Sequence, residues 1–156
     1  MPGPPHAGQA VSNSWAVAIE GGFFYQNDVD IIDDKTISIY NNNVLLNYNN
    51  ERIVSNNEVV FYHFDTDSFS KKFEDTFKTL KINSSYGGLI DFLNDGSAVV
   101  EDSANSRIFY LNKNGEVIWE FNNINNKKLL YDLWWARIIS SEQANKIKQI
   151  IKMKKN

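Results

Sequence analysis

The amino-acid sequence predicts an all-β chain of two four-stranded antiparallel, propeller-like blades, with a closing strand and a short C-terminal helix. Three observations lead to this prediction. The middle of the chain repeats itself, each copy contains short runs of alternating apolar and polar residues, and Asp-Gly or Asn-Gly pairs separate several runs. Units of four short strands that recur at intervals of about 40 to 60 residues are typical of propeller blades.

The repeat is visible when the chain is laid on itself. Residues 25–38 superpose on 86–99 with an offset of 61, and residues 58–65 superpose on 106–113 with an offset of 48. The difference predicts an extra loop of 13 residues in the first copy, within the Asn-rich stretch 41–57. The blades are therefore expected at about residues 25–75 and 86–122.

The second copy is the clearer one. Its four predicted strands cover residues 89–93, 98–101, 107–111 and 117–121. The turns Asn94-Asp95-Gly96 and Lys113-Asn114-Gly115 favour tight hairpins of native twist. Between the copies, the spacing of Phe73, Phe77 and Leu80 predicts a helical turn. The apolar run 133–139 predicts the closing strand.

The two ends of the chain differ from the domain at 23–139. Residues 1–22 hold all three prolines and no lysine, which indicates either a leader or tag-like segment or a loose N-terminus. Residues 140–156 predict a basic amphipathic helix that begins with a capping box at Ser140 and Gln143. We expect its isoleucines to pack on the body of the protein, in preference to a membrane or a nucleic acid.

Composition excludes several classes of function. The chain has 156 residues, a net charge of −3, no cysteine and two histidines. Disulfides, thiolate metal sites, cysteine nucleophiles and multi-histidine centres are therefore not expected. Its charge argues against a nucleic-acid partner, and it has no apolar run of the ~20 residues that a membrane span needs. Nucleotide-binding and metalloprotease motifs are absent, so the sequence predicts a soluble protein without cofactor or metal, and the compartment stays open.

Four residues are candidate ligand contacts. Gln26, Asn27 and Asp28 begin the innermost predicted strand, where Asn27 would hydrogen-bond a sulfate or sugar oxygen; a polar turn before a strand is the alternative. Arg137 would clamp an anion or stack on an aromatic ring such as Trp135, or occupy an ordinary surface position.

Other candidates have structural interpretations. His63, Asp65 and Asp67 alternate as ligands of a hard cation would, but Asp65 and Asp67 also suit a hairpin turn, which we favour. Asp30 and Asp91 occupy equivalent positions in the repeat, which favours a structural role over paired catalytic carboxylates. The tryptophans are expected to pack between the sheets: Trp15, Trp119, Trp134 and Trp135.

Two blades are too few to close a propeller, which takes about four to eight. The chain would therefore pair with copies of itself in a ring, belong to a larger propeller, or fold its sheets into a small sandwich. A homo-oligomer or a complementing propeller chain is the expected protein partner.

Residues 24–141 resemble the C-terminal blades of arylsulfotransferase-like β-propellers, which work without phosphoadenosine phosphosulfate. The resemblance lies in several ordered segments: residues 25–31, 37–42, 57–60, 95–97, 114–121 and 135–139. It implies sulfuryl transfer from a phenolic sulfate ester to a phenol through a sulfurylated histidine. It also implies a periplasmic or exported protein whose small ligands are sulfate esters or phenols.

The sequence departs from that pattern at the residue that carries the chemistry. Relatives often read Gln-His-Asp where this chain reads Gln26-Asn27-Asp28, and an amide does not serve as the sulfuryl acceptor. The expected function is therefore a binding or scaffolding module that is not catalytic alone and completes a propeller by self-association. The alternative is an arylsulfotransferase completed by an oligomer or a partner chain. No catalytic residue is assigned.

Overall fold

The computed structural model describes residues 10–11, 14–15, 26–46, 49, 51–127, 129–131 and 133–154. The strands in chain order are β1 Ala10–Val11, β2 Ser14–Trp15, β3 Gln26–Asp33, β4 Thr36–Asn41, β5 Val44–Leu46, β6 Arg52–Val54, β7 Glu58–His63, β8 Ser68–Lys72, β9 Leu89–Phe92, β10 Ala98–Asp102, β11 Arg107–Leu111 and β12 Val117–Asn122. The helices are α1 Glu74–Leu80 and α2 Ser141–Met153. Neither helix is long and apolar enough to cross a bilayer, as far as the described residues extend.

The two predicted four-stranded antiparallel sheets are present. The first sheet has the order β3-β4-β7-β8 and the second sheet has the order β9-β10-β11-β12, so each strand pairs with the next strand of its own sheet along the chain. The extra loop of the first copy contains the hairpin β5–β6, in which Val44 pairs with Val54. The pattern of alternating strands and the repeat offset therefore identified both sheets and the insertion between β4 and β7.

Turn chemistry explains why the strands of the second sheet reverse where they do. Gly96 and Gly115 have φ of 82° and 86°, a left-handed conformation that suits glycine. The Asp95 carboxylate accepts the N–H of Ser97 at 3.0 Å, and the Asn112 side-chain oxygen accepts the N–H of Asn114 at 2.9 Å. Both hairpins are thus closed by local side-chain bonds of the kind that Asp and Asn supply in turns.

A shared hydrophobic core joins the two sheets. Tyr40 and Val59 of the first sheet and Val100 and Phe109 of the second sheet are all fully buried in it. Phe77 of α1 fills the space between the sheets, with its ring centroid 6.1 Å from that of Tyr40. Burying a side chain of this size contributes roughly 1.5–3 kcal/mol, so α1, the predicted helical turn, holds the sheets together.

The first strands of the two sheets lie next to each other. The N–H of Ile90 in β9 donates to the Asp28 carboxylate of β3 at 3.1 Å, across the junction between the sheets. This contact places the polar start of β3 beside the loop that leads into β9, at residues 85–88. The candidate site lies at this junction.

The predicted closing strand at 133–139 is wrong. The described chain there has no regular secondary structure and pairs with no described strand. An apolar run becomes a strand only where a neighbouring edge offers backbone partners. Here the anchor is a side chain instead, because Arg137 reaches the carboxylates at the junction between the sheets.

The C-terminal helix forms as predicted but does not pack as expected. In the capping box, Ser140 Oγ accepts the N–H of Gln143 at 3.2 Å, and Gln143 Oε1 accepts the N–H of Ser140 at 2.9 Å. No residue of α2 is buried, and Ile147, Ile150 and Ile151 are each about half exposed. Local capping forms the helix, whereas packing against the rest of the described chain leaves its apolar face half exposed.

Most of the segment 1–22 lies outside the described residues. Only β1 and β2 are described there, and Ala10 pairs with Trp15 in their two-stranded ladder. His6 and the side chain of Trp15 lie outside the description, as does Tyr25 at the start of the first repeat.

Candidate functional site

A pocket of about 380 Å³ opens at the junction between the sheets, which is within the range of about 300–1,000 Å³ typical of small-molecule sites. Three of the four predicted ligand contacts line it. The described lining residues are Gln26, Asn27, Asp28, Ser85, Tyr86, Gly87, Gly88, Leu89, Trp134 and Trp135. The fourth predicted contact, Arg137, pairs with Asp28 just beyond this lining.

Two glycines form one wall because no larger residue fits. Gly87 and Gly88 have φ of 61° and 94°, and a Cβ on Gly88 would lie 2.5 Å from Cε1 of Tyr40. A Cβ on Gly87 would lie 2.8 Å from Oγ of Ser103. The N–H of Gly88 donates to that same Oγ at 2.7 Å, which fixes the turn against the second sheet.

Asn27 is held rigidly by its own amide. Its Nδ2 donates to Oδ1 of Asn42 at 2.7 Å and to the carbonyl oxygen of Gly87 at 2.9 Å. A carbonyl oxygen can only accept, so this contact determines which end of the Asn27 amide is nitrogen. Both amide hydrogens are thereby used, and the Oδ1 of Asn27 is left as a hydrogen-bond acceptor.

Behind Asn27, two buried asparagines lock the loop in place. Asn42 Nδ2 donates to the carbonyl oxygens of Ser84 and Gly87 at 2.9 and 2.8 Å. Asn57 Nδ2 donates to the carbonyl oxygen of Asn42 at 2.7 Å, and the Tyr40 hydroxyl donates to Oδ1 of Asn57 at 3.0 Å. Sequence reasoning missed these residues because it read the Asn-rich stretch as turn material. Their positions at the two ends of the inserted loop were the available signal.

Carboxylates from both sheets converge on Arg137. Its Nη1 lies 2.8 Å from Oδ1 of Asp91, and its Nη2 lies 3.9 Å from Oδ1 of Asp28. Burial raises the pKa of the Asp28 carboxyl, and the charges of Asp30 and Asp91 add to this rise. Burial and then Asp91 also raise the pKa of Asp30, which Arg137 opposes. The repeat-equivalent residues Asp30 and Asp91 thus share one acidic cluster.

Aromatic rings form the open side of the pocket. Tyr86 and Trp134 pack with ring centroids 5.9 Å apart, and the Arg137 guanidinium lies 5.2 Å from the ring centroid of Trp135. Trp134 and Trp135 are 71% and 74% exposed. The prediction that they pack between the sheets is therefore wrong, as it is for the half-exposed Trp119. The shared core is filled by smaller rings, and the two tryptophans lie on irregular chain at the pocket mouth.

The sequence candidate at His63 is part of a hairpin. Its Nδ1 lies 3.4 Å from Oγ1 of Thr36 and its Nε2 lies 3.1 Å from Oγ of Ser70. Asp65 and Asp67 lie in the turn before β8, and the Tyr62 hydroxyl donates to Asp67. The turn interpretation is confirmed, and no group of three metal-ligating side chains occurs among the described residues.

The architecture defines a protein of repeated antiparallel sheets with a ligand-sized pocket where their first strands meet. Residues 7–124 match the sequence model of the family described as Arylsulfotransferase (ASST). Because the match covers most of the chain and both sheets, the protein belongs to the arylsulfotransferase family. The match begins within the segment 1–22 and ends just after β12. No curated protein and no solved structure matches the chain.

Proposed function

We propose that this chain is a ligand-binding module of the arylsulfotransferase family that does not transfer sulfuryl groups by itself. The observation that carries the proposal is the position and hydrogen bonding of Asn27. It stands where the family resemblance implies a histidine, and both of its amide hydrogens are donated to Asn42 and Gly87. An amide so held is neither a nucleophile nor a donor to a sulfate oxygen.

The pocket suits the phenol side of the family's chemistry better than the sulfate side. An aromatic ring would pack against Tyr86 and Trp134, and a hydroxyl would donate to the acceptors of Asn27 and Asp28. A sulfate group would bring negative charge toward the Asp28 carboxylate instead. The proposed ligand is therefore an aromatic compound that carries a hydrogen-bond donor.

A transfer assay with 4-nitrophenyl sulfate as donor and phenol as acceptor tests the catalytic half of this proposal. We expect no turnover by the purified chain, while phenol binding is measurable by calorimetry and weakened at least threefold in Asn27→Ala. The matched control is Asn114→Ala, because Asn114 is an exposed asparagine of a hairpin turn. Turnover that Asn27→Ala abolishes and Asn114→Ala preserves would overturn the proposal.

A second candidate function is scaffolding by self-association, which would complete a propeller. The observation that favours it is the far face of the second sheet, defined here as Ile108, Tyr110, Trp119 and Phe121, which the strand register places together. Trp119 and Phe121 are 51% and 42% exposed and stack with ring centroids 6.2 Å apart. An apolar sheet face of this kind suits packing against a further sheet.

Light scattering over a range of concentrations tests this second candidate. Association that rises with concentration and disappears in Trp119→Lys supports it, whereas a monomer at every concentration rules it out. If the assembly is a sulfotransferase, a phenolic sulfate ester will raise the melting temperature of the assembled species and leave that of the monomeric variant unchanged.

A further inference from the structure

We propose that the pocket selects an organic ammonium group carried on an aromatic body, and discriminates against anionic sulfate esters. This inference rests on the proposed function, since it names the ligand class of the same pocket. Three features carry it: the charge that lines the pocket, the hydrogen-bond acceptors whose orientation the fold determines, and the aromatic rings at its mouth.

The charge around the pocket is negative. Of the described residues that line it, Asp28 is the one with a charged side chain. The cation that pairs with this carboxylate, Arg137, makes its close contact with Asp91 at 2.8 Å and stays 3.9 Å from Asp28. With Asp30 in the same cluster, three carboxylates face one guanidinium. A ligand cation would bring this cluster closer to neutrality, whereas a ligand anion would be repelled.

The oriented polar groups are acceptors. Among the described contacts, Oδ1 of Asn27 accepts no hydrogen bond, and the amide cannot turn without losing its bonds to Asn42 and Gly87. Asp28 offers Oδ1, because its Oδ2 already accepts the N–H of Ile90. An ammonium group supplies three donors to such a site, whereas a sulfate supplies none.

The aromatic rings at the mouth add a second attraction for a cation. The face of an aromatic ring is electron-rich and binds ammonium groups, and Trp binds them best. The Trp135 ring already lies beside the Arg137 guanidinium, while the paired Tyr86 and Trp134 rings line the same pocket as Asp28. An aromatic amine would therefore satisfy the carboxylate and the rings together.

Calorimetry on the full chain with three matched probes tests the inference: 2-phenylethylamine, 2-phenylethanol and 2-phenylethyl sulfate. We expect the amine to bind at least tenfold more tightly than the alcohol, and the sulfate to bind most weakly. Asp28→Asn should remove the preference for the amine, so that amine and alcohol bind with similar affinity, while the Asn oxygen can still accept the N–H of Ile90 and keep the strands together. The control Asp34→Asn changes an exposed turn carboxylate of the same sheet and should keep the preference.

Arg137→Gln provides a second variant that leaves every lining residue intact. Removing the competing guanidinium should strengthen binding of the amine at least threefold. If none of the three probes binds, the proposed function fails and this inference fails with it. If the alcohol binds as tightly as the amine, or the sulfate binds more tightly, the ammonium inference is overturned while the binding function stands.

Discussion

The two copies of the repeat contribute different groups to one pocket, polar side chains in the first copy and glycine backbone in the second. Superposition of the repeats places Gln26, Asn27 and Asp28 on Gly87, Gly88 and Leu89, and both segments line the same cavity. At these positions the first copy supplies amide and carboxylate side chains, whereas the second copy supplies the backbone of two glycines, including an acceptor carbonyl, flanked by the side chains of Tyr86 and Leu89. Duplicated modules can thus divide the work of a site, one providing functional groups and the other providing space.

The largest effect is expected from making the two copies alike. Gly88→Asn places in the second copy the residue that the first copy has at Asn27. The substitution should destabilise the fold by about 2–4 kcal/mol, because the left-handed φ of 94° and the contact with Tyr40 are both unfavourable for a side chain. Urea denaturation gives the measurement.

The control for that substitution is Gly96→Ala. Gly96 also has a positive φ of 82°, but a Cβ there would lie 3.6 Å from its nearest neighbour. Gly96→Ala should lower the free energy of unfolding by about 1 kcal/mol, from backbone strain alone. Equal losses at Gly88 and Gly96 would show that the close approach to Tyr40 is unimportant.

The next effect concerns the bonds that join the copies. Asn42→Ala removes the donor to Ser84 and Gly87 and the acceptor for Asn27, inside fully buried surroundings. Losing these three hydrogen bonds, each worth roughly 1 kcal/mol, should lower the free energy of unfolding by about 2–3 kcal/mol, although the carbonyls of Ser84 and Gly87 keep Asn57 and Asn27 as donors. The exposed Asn114→Ala should change it by less than about 0.5 kcal/mol. A loss at Asn42 no larger than at Asn114 would contradict the role assigned to the network.

A smaller effect is expected in the titration of the acidic cluster. Burial, together with Asp30 and Asp91, raises the pKa of Asp28 above 3.8, against the opposing Arg137. The folded chain therefore holds this proton more tightly than the unfolded chain, and the stability contributed by protonated Asp28 is lost as pH rises from 3.8 through the raised pKa. Asp28→Asn should consequently be more stable than the parent chain at neutral pH, with the gain shrinking toward pH 4.

Carboxyl chemical shifts measured by NMR provide the check. Asp28 should titrate with a midpoint above 3.8. Asp95 should titrate below 3.8, because hydrogen bonds from the hydroxyl and the N–H of Ser97 lower its pKa. An Asp28 midpoint at or below that of Asp95 would remove the electrostatic contrast between the pocket and the hairpin turns.

The smallest effect on folding is expected at the outer faces of the sheets. In the first sheet, Ile39, Val60 and Tyr62 are buried on the face that points away from the shared core, whereas Trp119 and Phe121 are exposed on the far face of the second sheet. Trp119→Lys should cost about 1 kcal/mol or less in stability, because it removes mainly the stack with Phe121. Leu129→Lys, at an exposed loop residue, is the control for light scattering. Equal effects of both substitutions on association would argue against the far face as the interface.

Much of the architecture was readable from short patterns. Period-two alternation located the strands, Gly96 and Gly115 marked the turns, and the offset of the repeats located the inserted hairpin. The start of β3 was predicted to hold ligand contacts because its polar triplet opens the predicted innermost strand, and the structure places that triplet in the lining of the pocket. Each of these signals involves residues that are close in sequence, or a pattern that occurs in both copies of the repeat.

Other features were out of reach of the same reasoning. The closing strand was wrong because the segment 133–139 pairs with no described strand, and the apolar face of α2 is half exposed because amphipathic spacing forms a helix without specifying what it packs against. The role of Asn42 and Asn57 was hidden because an asparagine in a turn and an asparagine in a buried network look identical in sequence.

By itself, the sequence determined the two sheets, their turns, the capped C-terminal helix and the family to which the chain belongs. Only the tertiary structure decided that the first strands of the sheets meet, that Asn27 is held by its own donors, and that Trp134 and Trp135 edge the pocket. The physical reason is the separation along the sequence of the residues that interact. Strand alternation, turns and caps depend on neighbours along the chain, whereas the pocket depends on contacts between residues far apart in the chain, such as Asn27 with Gly87, which are 60 positions apart.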